Sequence, residues 1–476
     1  MQGVGVQLHT VVVGASLAGL FAAAAAAAAG SRVTVLDRDI LPNDTRARDG
    51  VPQGRQGHVL LHRGLLSAED LLPGLTQDLI DHHAVRFDSG RMPWLGPLGW
   101  LPTDQPSYEL ISATRPLLEH LVRERVRALD QVTIVEQIRV NGLERRPAGS
   151  WQVLCEGGPS REAELVIDAS GRSSRMPHWL AALGYAVGEP EQVDAHLGYA
   201  CQQYRATTPL PVDTGIVVLA IPETGTGGLA LPVEDDRWLV IAGGYGERRP
   251  SRDRQEFNAF LANLRDPVLA ELTHHLEPEG DLHIHRQTGN RRHHYELIRD
   301  WPSGLLVVGD ALCAFNPIYG QGITVAALQA QLIRKSLSRR PRSARTPVVP
   351  RAVQRQIAAV ADLPWSIAAG EDLRHPSSGG GAPGLVSRGL GWWSGELAKL
   401  SIDGDRHAIG AFSRVYHLMG SPWWLFHPAL VARVVIARCR GRGEPAPRPR
   451  VLDDLVNAPH PLMAPELGAA GPLDQG

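Results

Sequence analysis

The chain of 476 residues exceeds what a single hydrophobic core organises, so two or three domains are expected. Hydrophobic residues make up 43% and charged residues 21%, which excludes a disordered or fibrous chain. A net charge of −2 supplies no electrostatic basis for binding nucleic acid or an anionic membrane.

Residues 10–13 read as a short β-branched strand and residues 20–29 as an alanine-rich helix. Gly14-Ala15-Ser16-Leu17-Ala18-Gly19 joins them, and a second strand over 32–36 ends at Asp37. This is a βαβ dinucleotide fingerprint, with its acid at about the expected twenty residues. Gly14 permits the tight turn and Gly19 lets the helix pack on the strand. The helix N-terminus offers free N–H groups to a pyrophosphate, and Asp37 is placed to hold ribose hydroxyls. Ser16 stands where the pattern has a second glycine; serine is small, so tolerance is expected. The apolar run 17–29 has no basic residue before it and lies inside the βαβ pattern, so it is not read as a signal or membrane segment.

A polar loop follows with Arg46, Arg48 and Gly50-Val51-Pro52-Gln53-Gly54-Arg55-Gln56-Gly57-His58, and then a helix is expected over 59–72. Residues 84–110 hold short strand-like pieces. Arg115-Pro116 leads into an amphipathic helix over 117–128. Strands are expected at 132–136, 150–155 and 164–168, the last running into Asp168-Ala169-Ser170-Gly171-Arg172. From about 190 to 290 the pattern is β, with strands at 197–204, 215–221, 228–232 and 238–242 and a helical break at 253–264. The apolar run 305–308 then ends in Gly309-Asp310, and Asn316-Pro317-Ile318-Tyr319-Gly320-Gln321-Gly322 opens a helical pattern from Ile323. Such a segment presents one carboxylate and several backbone N–H groups to a large polar cofactor, so two distant parts of the chain ask for the same ligand. Residues 338–352 read as a surface connection and 353–440 as mainly helical around a flexible 377–383 segment. The stretch 441–476 is expected to be poorly ordered. The four cysteines, at 155, 201, 313 and 439, have no framework spacing, which points to a reducing, cytoplasmic setting.

Four of these motifs match one family in order. The chain resembles the single-component FAD-dependent monooxygenases of the para-hydroxybenzoate hydroxylase fold. The resemblance is carried by Gly14–Gly19 with Asp37, by Arg115 ahead of its helix, by Asp168–Arg172, and by Gly309-Asp310 with the 317–322 turn. A narrower resemblance is to the squalene-epoxidase-like branch, which includes polyether epoxidases. Its signs are the 50–55 run, Leu197-Gly198-Tyr199, the 315–322 run, Pro364-Trp365 and Asp372-Leu373-Arg374-His375-Pro376.

The resemblance implies an α/β fold: a Rossmann-like FAD-binding domain of the glutathione-reductase type, an interleaved β-sheet substrate domain and a helical C-terminal region. The FAD-binding parts would be 1–85, 111–190 and 291–345, the substrate parts 86–110 and 191–290, the helical region 346–440 and the tail 441–476. Gly14, Ser16, Ala18 and Gly19 would serve the pyrophosphate, and Asp37 the adenosine ribose with Arg38 beside the adenine. Arg55 would be a further cofactor contact, and Arg115 would lie along the ribityl and phosphate region. Asp168 would shape the cleft where FAD and a reduced nicotinamide meet, and Gly309 with Asp310 would hold the ribityl chain. Backbone at Gly320, Gln321, Gly322 and Ile323 would face the flavin ring; Pro317, Gly320 and Gly322 are the candidate catalytic positions. Tyr199, Tyr204, Leu229, Leu231 and Trp238 are candidate substrate walls, though for any single one ordinary sheet core is the favoured reading. His58 is either a flavin contact or an exposed loop histidine.

In this fold NADPH or NADH reduces FAD, dioxygen adds, and a flavin C4a-hydroperoxide delivers one oxygen while the other leaves as water. An alkene needs no side-chain base, whereas a phenol gains from one. The resemblance therefore implies epoxidation of a lipophilic natural-product intermediate. Aromatic hydroxylation and a geranylgeranyl-reductase-like reduction are the alternatives, and a carrier of the GDP-dissociation-inhibitor type is the non-enzymatic one. A halogenase would need a lysine near the flavin, but the lysines are Lys335 and Lys399 only. His283, His285, His293 and His294 lack convincing partners, so no metal is expected. Asp372 and Arg374 suggest an anchoring ion pair. The aromatic run 422–430 suggests packing over the substrate cavity, with at most peripheral membrane contact.

Overall fold

The computed structural model describes residues 8–48, 54, 56–147, 149–339, 351–378, 385–440 and 444–457. Arg55, the connection at 340–350, residues 379–384 and the tail beyond 457 lie outside the described residues.

Five strands, His9–Val13, Arg32–Leu36, Val132–Val135, Leu165–Asp168 and Leu305–Val307, make one sheet. Its order runs 305–307, 165–168, 9–13, 32–36, 132–135, and every pairing is parallel. A parallel sheet is covered on both faces, so its strands read as continuous apolar runs. Val11, Val12, Val33, Val35, Val166 and Ile167 are accordingly sealed from solvent. The Leu17–Ala28 helix packs on the sheet and on the long Gly322–Ser338 helix. Its alanines, buried from Ala22 to Ala27, let those helices approach closely. All parallel strands end at one edge, so the loops after Val13, Leu36, Asp168 and Val307 gather there.

The second unit is a seven-stranded sheet built from separate insertions. Its order is Leu276–His285, Leu197–Ala206, Arg237–Tyr245, Thr226–Val233, Ile216–Val218, Trp94–Gly96 and Gly99–Trp100. The alternation of the strands splits its residues between two faces. Ala200, Tyr204, Ala230, Trp238 and Val240 pack with Phe257 and Leu261 of the Arg254–Ala262 helix and with Val268, Leu269 and Leu272 of the Val268–Thr273 helix. Tyr199, Leu229, Leu231 and Ile241 look the other way, into a cavity.

Two expectations need correction. Residues 57–60 are a strand, Gly57–Leu60, rather than the start of a helix, because they pair antiparallel with Glu109–Thr114; the helix begins only at His62. Residues 450–457 are ordered against the expectation of a tail. The Arg450–Asn457 helix buries Leu452 and Leu455 completely in the core behind the seven-stranded sheet. Arg448 anchors its approach through Asp266 at 3.1 Å and Asp453 at 3.2 Å. The Leu385–Ile402, Arg406–Tyr416 and Pro428–Arg440 helices share a small core of their own around Leu397, Ala408 and Leu430. Among the described residues no helix is long and apolar enough to cross a membrane.

Leu452→Ala should destabilise the protein by about 2–5 kcal/mol, the usual range for emptying a buried leucine site. Urea denaturation measures this, and an unchanged midpoint would show that the helix is not part of the core.

Candidate functional site

The first half-site is the turn after His9–Val13. Gly14 has φ +102°, and a Cβ there would lie 2.6 Å from the Ala169 carbonyl oxygen, so glycine is required. Gly19 lies behind the turn, where a Cβ would meet the Gly14 carbonyl oxygen at 1.8 Å; its role is packing. Ser16 caps the helix without a side-chain cap bond, so the first N–H groups remain open towards the cavity. The Ser16 hydroxyl instead accepts from Arg115 Nη2 at 2.8 Å. The serine is thus more than a tolerated small residue, because it fixes a buried guanidinium over the turn.

Asp37 is 7% exposed. Its Oδ2 accepts from Ala15 N at 2.6 Å and from Arg48 Nη1 at 3.2 Å, and its Oδ1 from Asp39 N at 2.9 Å. Arg48 also bonds Glu119 at 3.2 Å. No local signal in the sequence pairs Arg48 with a carboxylate on another helix. Burial lowers the pKa of Arg115, opposed by Glu119, with Arg48 lowering it further and Asp310 raising it. Arg38 stands at the mouth with its side chain half exposed.

The second half-site follows Leu305–Val307. Gly309 has φ +58°, and a Cβ there would come 2.8 Å from the Ala18 Cβ, so the two half-sites touch. Gly309 N donates to Gln329 Oε1 at 2.8 Å. The Asp310 carboxylate faces the cavity 3.5 Å from Arg172 Nε. Arg172 also donates to the carbonyls of Gly289, at 2.8 Å, and Phe315. It thereby ties the 168–172 motif to the central loop, residues 315–322. Asp168 is not on the cavity wall. It is fully buried and accepts from Ser170 N at 3.0 Å, Ser170 Oγ at 2.6 Å and Ser174 Oγ at 2.5 Å. Burial pushes its pKa up against those hydrogen bonds. It shapes the cleft from behind by fixing the 170–174 turn. Pro317, Gly320, Gly322 and Ile323 line the cavity, with Gly320 at φ +66°. Gln321 turns inward, 1% exposed, with neither amide atom partnered.

A single cavity of about 990 Å³ joins both half-sites: Gly14, Ser16, Ala18 and Asp37 line one part, and Gly309, Asp310, Gly320 and Gly322 another. The donor set suits FAD. It has a free helix N-terminus, a carboxylate at either half-site, and open space at Gly320 and Gly322, where an added Cβ would meet nothing within 4 Å. The same cavity continues into an apolar chamber. Tyr199, Leu229 and Leu231 are on its wall, with Met92, Trp94 and Val217. Tyr204 and Trp238, paired across neighbouring strands, lie on the covered face instead. His58 is on the wall, its Nδ1 2.8 Å from the Gln56 carbonyl. Burial and nearby Arg115 push its pKa down to about 3. His285 lies beside Tyr199, ring centres 5.1 Å apart. His293 stacks on Tyr295, whereas His294 bonds Glu191 and Glu296, so these histidines diverge. Among the described residues no group of three potential metal ligands is gathered.

The aromatic run near 422–430 does not roof the cavity. Trp423 is 76% exposed, and the cover comes from Phe412 and Tyr416 of the Arg406–Tyr416 helix. His417, at the end of that helix, is buried; its Nδ1 accepts from His62 N at 3.4 Å and its Nε2 lies 3.1 Å from Ser89 Oγ.

No family model matches the chain. Protein Rv3254 of Mycobacterium tuberculosis (strain ATCC 25618 / H37Rv) is 32% identical over 347 residues, which cover 70% of this chain and 73% of that protein. The flavin-dependent brominase Bmp2 superposes with a TM-score of 0.60 at 14% identity, covering 91% of this chain and 99% of Bmp2. OxyS anhydrotetracycline hydroxylase from Streptomyces rimosus superposes with a TM-score of 0.55 at 17% identity, covering 87% of this chain and 76% of OxyS. The fold is that of FAD-dependent monooxygenases and halogenases.

Burial, with His62 adding to it, pushes the His417 pKa down to about 3, so the ring is neutral in the folded chain. The unfolded histidine takes up a proton near pH 6.5, so the unfolded state binds more protons between pH 6.5 and 3. Stability should therefore be full above pH 6.5 and fall as the pH drops below it. In urea denaturation at pH 7.5 and 5, His417→Gln should show a smaller acid loss than the unmodified chain. Equal losses would mean that the fold does not hold the His417 ring neutral.

Proposed function

The chain belongs to the family of Protein Rv3254, and from that premise we propose that it is an FAD-dependent monooxygenase. It would use NADPH or NADH and dioxygen to add one oxygen atom to a lipophilic natural-product intermediate, by alkene epoxidation. The carrying observation is the single cavity that runs from the nucleotide half-sites into an apolar chamber.

Asp37 and Ser16, with Arg48 and Arg115 behind them, would hold the adenosine and diphosphate. Asp310 would accept from the ribityl hydroxyls, and backbone from Pro317 to Gly322 would face the flavin ring. Bound FAD would supply the redox chemistry and the activation of dioxygen. The chamber supplies binding, orientation and exclusion of water. Leu61, Met92, Leu110, Val217 and Leu231 pack together there, with Trp94, Leu229 and Tyr416 against them.

The chamber's chemistry favours an alkene over a phenol. The cavity's carboxylates are Asp37, Asp39, Glu156, Asp310 and Glu371, and none belongs to a cavity-facing strand of the seven-stranded sheet. Tyr199 is held neutral by burial, and the pKa of His285 is lowered first by burial, so neither is a strong base. An alkene needs none. Halogenation is disfavoured because Lys335 is exposed on a helix and Lys399 bonds Glu396 at 2.8 Å; neither lines the cavity.

The purified chain should be yellow, with a flavin absorption band, and should couple NADPH loss to oxygen uptake. With candidate polyenes and phenols under labelled dioxygen, mass spectrometry should find one labelled oxygen in the polyene product. A colourless protein that FAD cannot reconstitute would overturn the assignment; oxygen-independent reduction of the double bond would favour a reductase. Asp310→Ala should weaken FAD binding about tenfold or more, since a charged acceptor is lost. Undiminished flavin content in that variant would remove Asp310 from the site.

A further inference from the structure

Asp372 was expected to pair with Arg374, and it does not. Arg374 bonds Glu371 at 2.8 Å on the surface. Asp372, at the end of the Asp362–Asp372 helix, is 1% exposed. Its carboxylate is met by donors only. Asn290 Nδ2 lies 2.7 Å from Oδ2, and Asn316 Nδ2 lies 3.1 Å from each oxygen. Tyr319 Oη donates to Oδ1 at 3.1 Å and Tyr245 Oη at 3.4 Å. No cation among the described residues pairs with it.

These donors come from three places. Tyr245 ends the Arg237–Tyr245 strand of the substrate sheet, Asn290 begins the Asn290–Arg292 strand, and Asn316 and Tyr319 belong to the central loop. The network sets the loop's shape. Asn290 Oδ1 accepts from Asn316 N at 2.7 Å. With its Nδ2 held by Asp372, Asn316 turns Oδ1 to accept from Ile318 N at 3.3 Å, capping the Pro317–Tyr319 turn. Gly320 N then bonds Pro317 O at 3.0 Å, and the chain enters the cavity-facing Gly320 and Gly322. An uncompensated buried carboxylate is costly, so it persists only where several donors converge on it.

We propose that Asp372, as an ionised carboxylate, is the positioning residue that holds the 316–320 loop against the cavity and couples that loop to the substrate sheet through Tyr245. The proposal rests on the flavin-site reading only for what the loop would face. Its geometry is independent of any ligand. The other titratable groups around it leave Asp372 as the switching member. Tyr245 and Tyr319 are pushed up, first by burial, and stay neutral; His375, stacked on Tyr245 at 3.5 Å, is pushed down to about 4; Glu371 is tied to Arg374. Burial raises the Asp372 pKa to about 6 against hydrogen bonds from Asn316, Tyr319, Asn290 and Tyr245. A protonated Asp372 would have to reverse a tyrosine hydroxyl into an acceptor, and its neutral oxygens would hold the Asn290 and Asn316 amides less strongly than a carboxylate does.

Amide hydrogen exchange on the full chain without added FAD tests this, with rates corrected for the intrinsic effect of pH. At pH 7.5 the amides of Asn316, Ile318 and Gly320 should exchange about tenfold faster in Asp372→Asn, the equivalent of one lost charged hydrogen bond. The unmodified chain should move towards the variant at pH 5, and the variant should not change further. Tyr319→Phe, which removes one donor and should fold readily, should give a partial loss at pH 7.5. Full protection in Asp372→Asn at pH 7.5, no pH dependence in the unmodified chain, or no effect of Tyr319→Phe would each overturn the proposal. The FAD dissociation constant, measured separately, should rise about tenfold in Asp372→Asn. An unmodified chain that binds no FAD would refute the flavin assignment, whereas the exchange data would still decide the role of Asp372.

Discussion

The molecule depends on the contact between two loops at one edge of its parallel sheet. The turn after His9–Val13 and the turn after Leu305–Val307 belong to strands separated by the whole substrate insertion. They meet because Gly309, in a left-handed conformation, lets Ala18 approach it; Gly14 separately lets the Ala169 carbonyl of the loop after Leu165–Asp168 come close. Parallel strands make this geometry available: with every strand pointing the same way, every following loop ends at the same edge. A side chain at Gly309 would press the two turns apart.

The rest of the site is supported from behind. Asp168 orders the 170–174 turn, Arg172 ties that turn to the central loop, and Asp372 holds the loop from its far side. Two buried carboxylates thus act on backbone shape rather than on the cavity itself. Their interior surroundings make them expensive to ionise, which is why both are surrounded by donors.

The turns at Gly14 and Gly309 and the carboxylate of Asp37, all on the cavity wall, could be read from sequence because their physics is local. A tight turn, a close helix and a carboxylate at the end of the next strand are all set within a few tens of residues. Leu229 and Leu231 were recognisable as wall residues by the same period-two pattern that made Tyr204 and Trp238 candidates. Nothing in the alternation says which face looks at the cavity, and these two tyrosine and tryptophan side chains face the helices instead. The partners of Arg48 and Asp372 are not legible in the sequence for another reason. Glu119, Asn290 and Asn316 come from distant segments, and only tertiary packing assembles them. The start of the expected 59–72 helix is a similar case, since Val59 and Leu60 are taken up by pairing with Glu109–Thr114.

Whether the remote segments form one cleft for FAD is decided by a crystal structure of the chain grown with FAD. The adenosine should lie beside Asp37, the diphosphate over the Leu17–Ala28 helix N-terminus and the flavin ring against Gly320 to Gly322. Flavin bound elsewhere, or a cleft interrupted between Asp37 and Asp310, would contradict it.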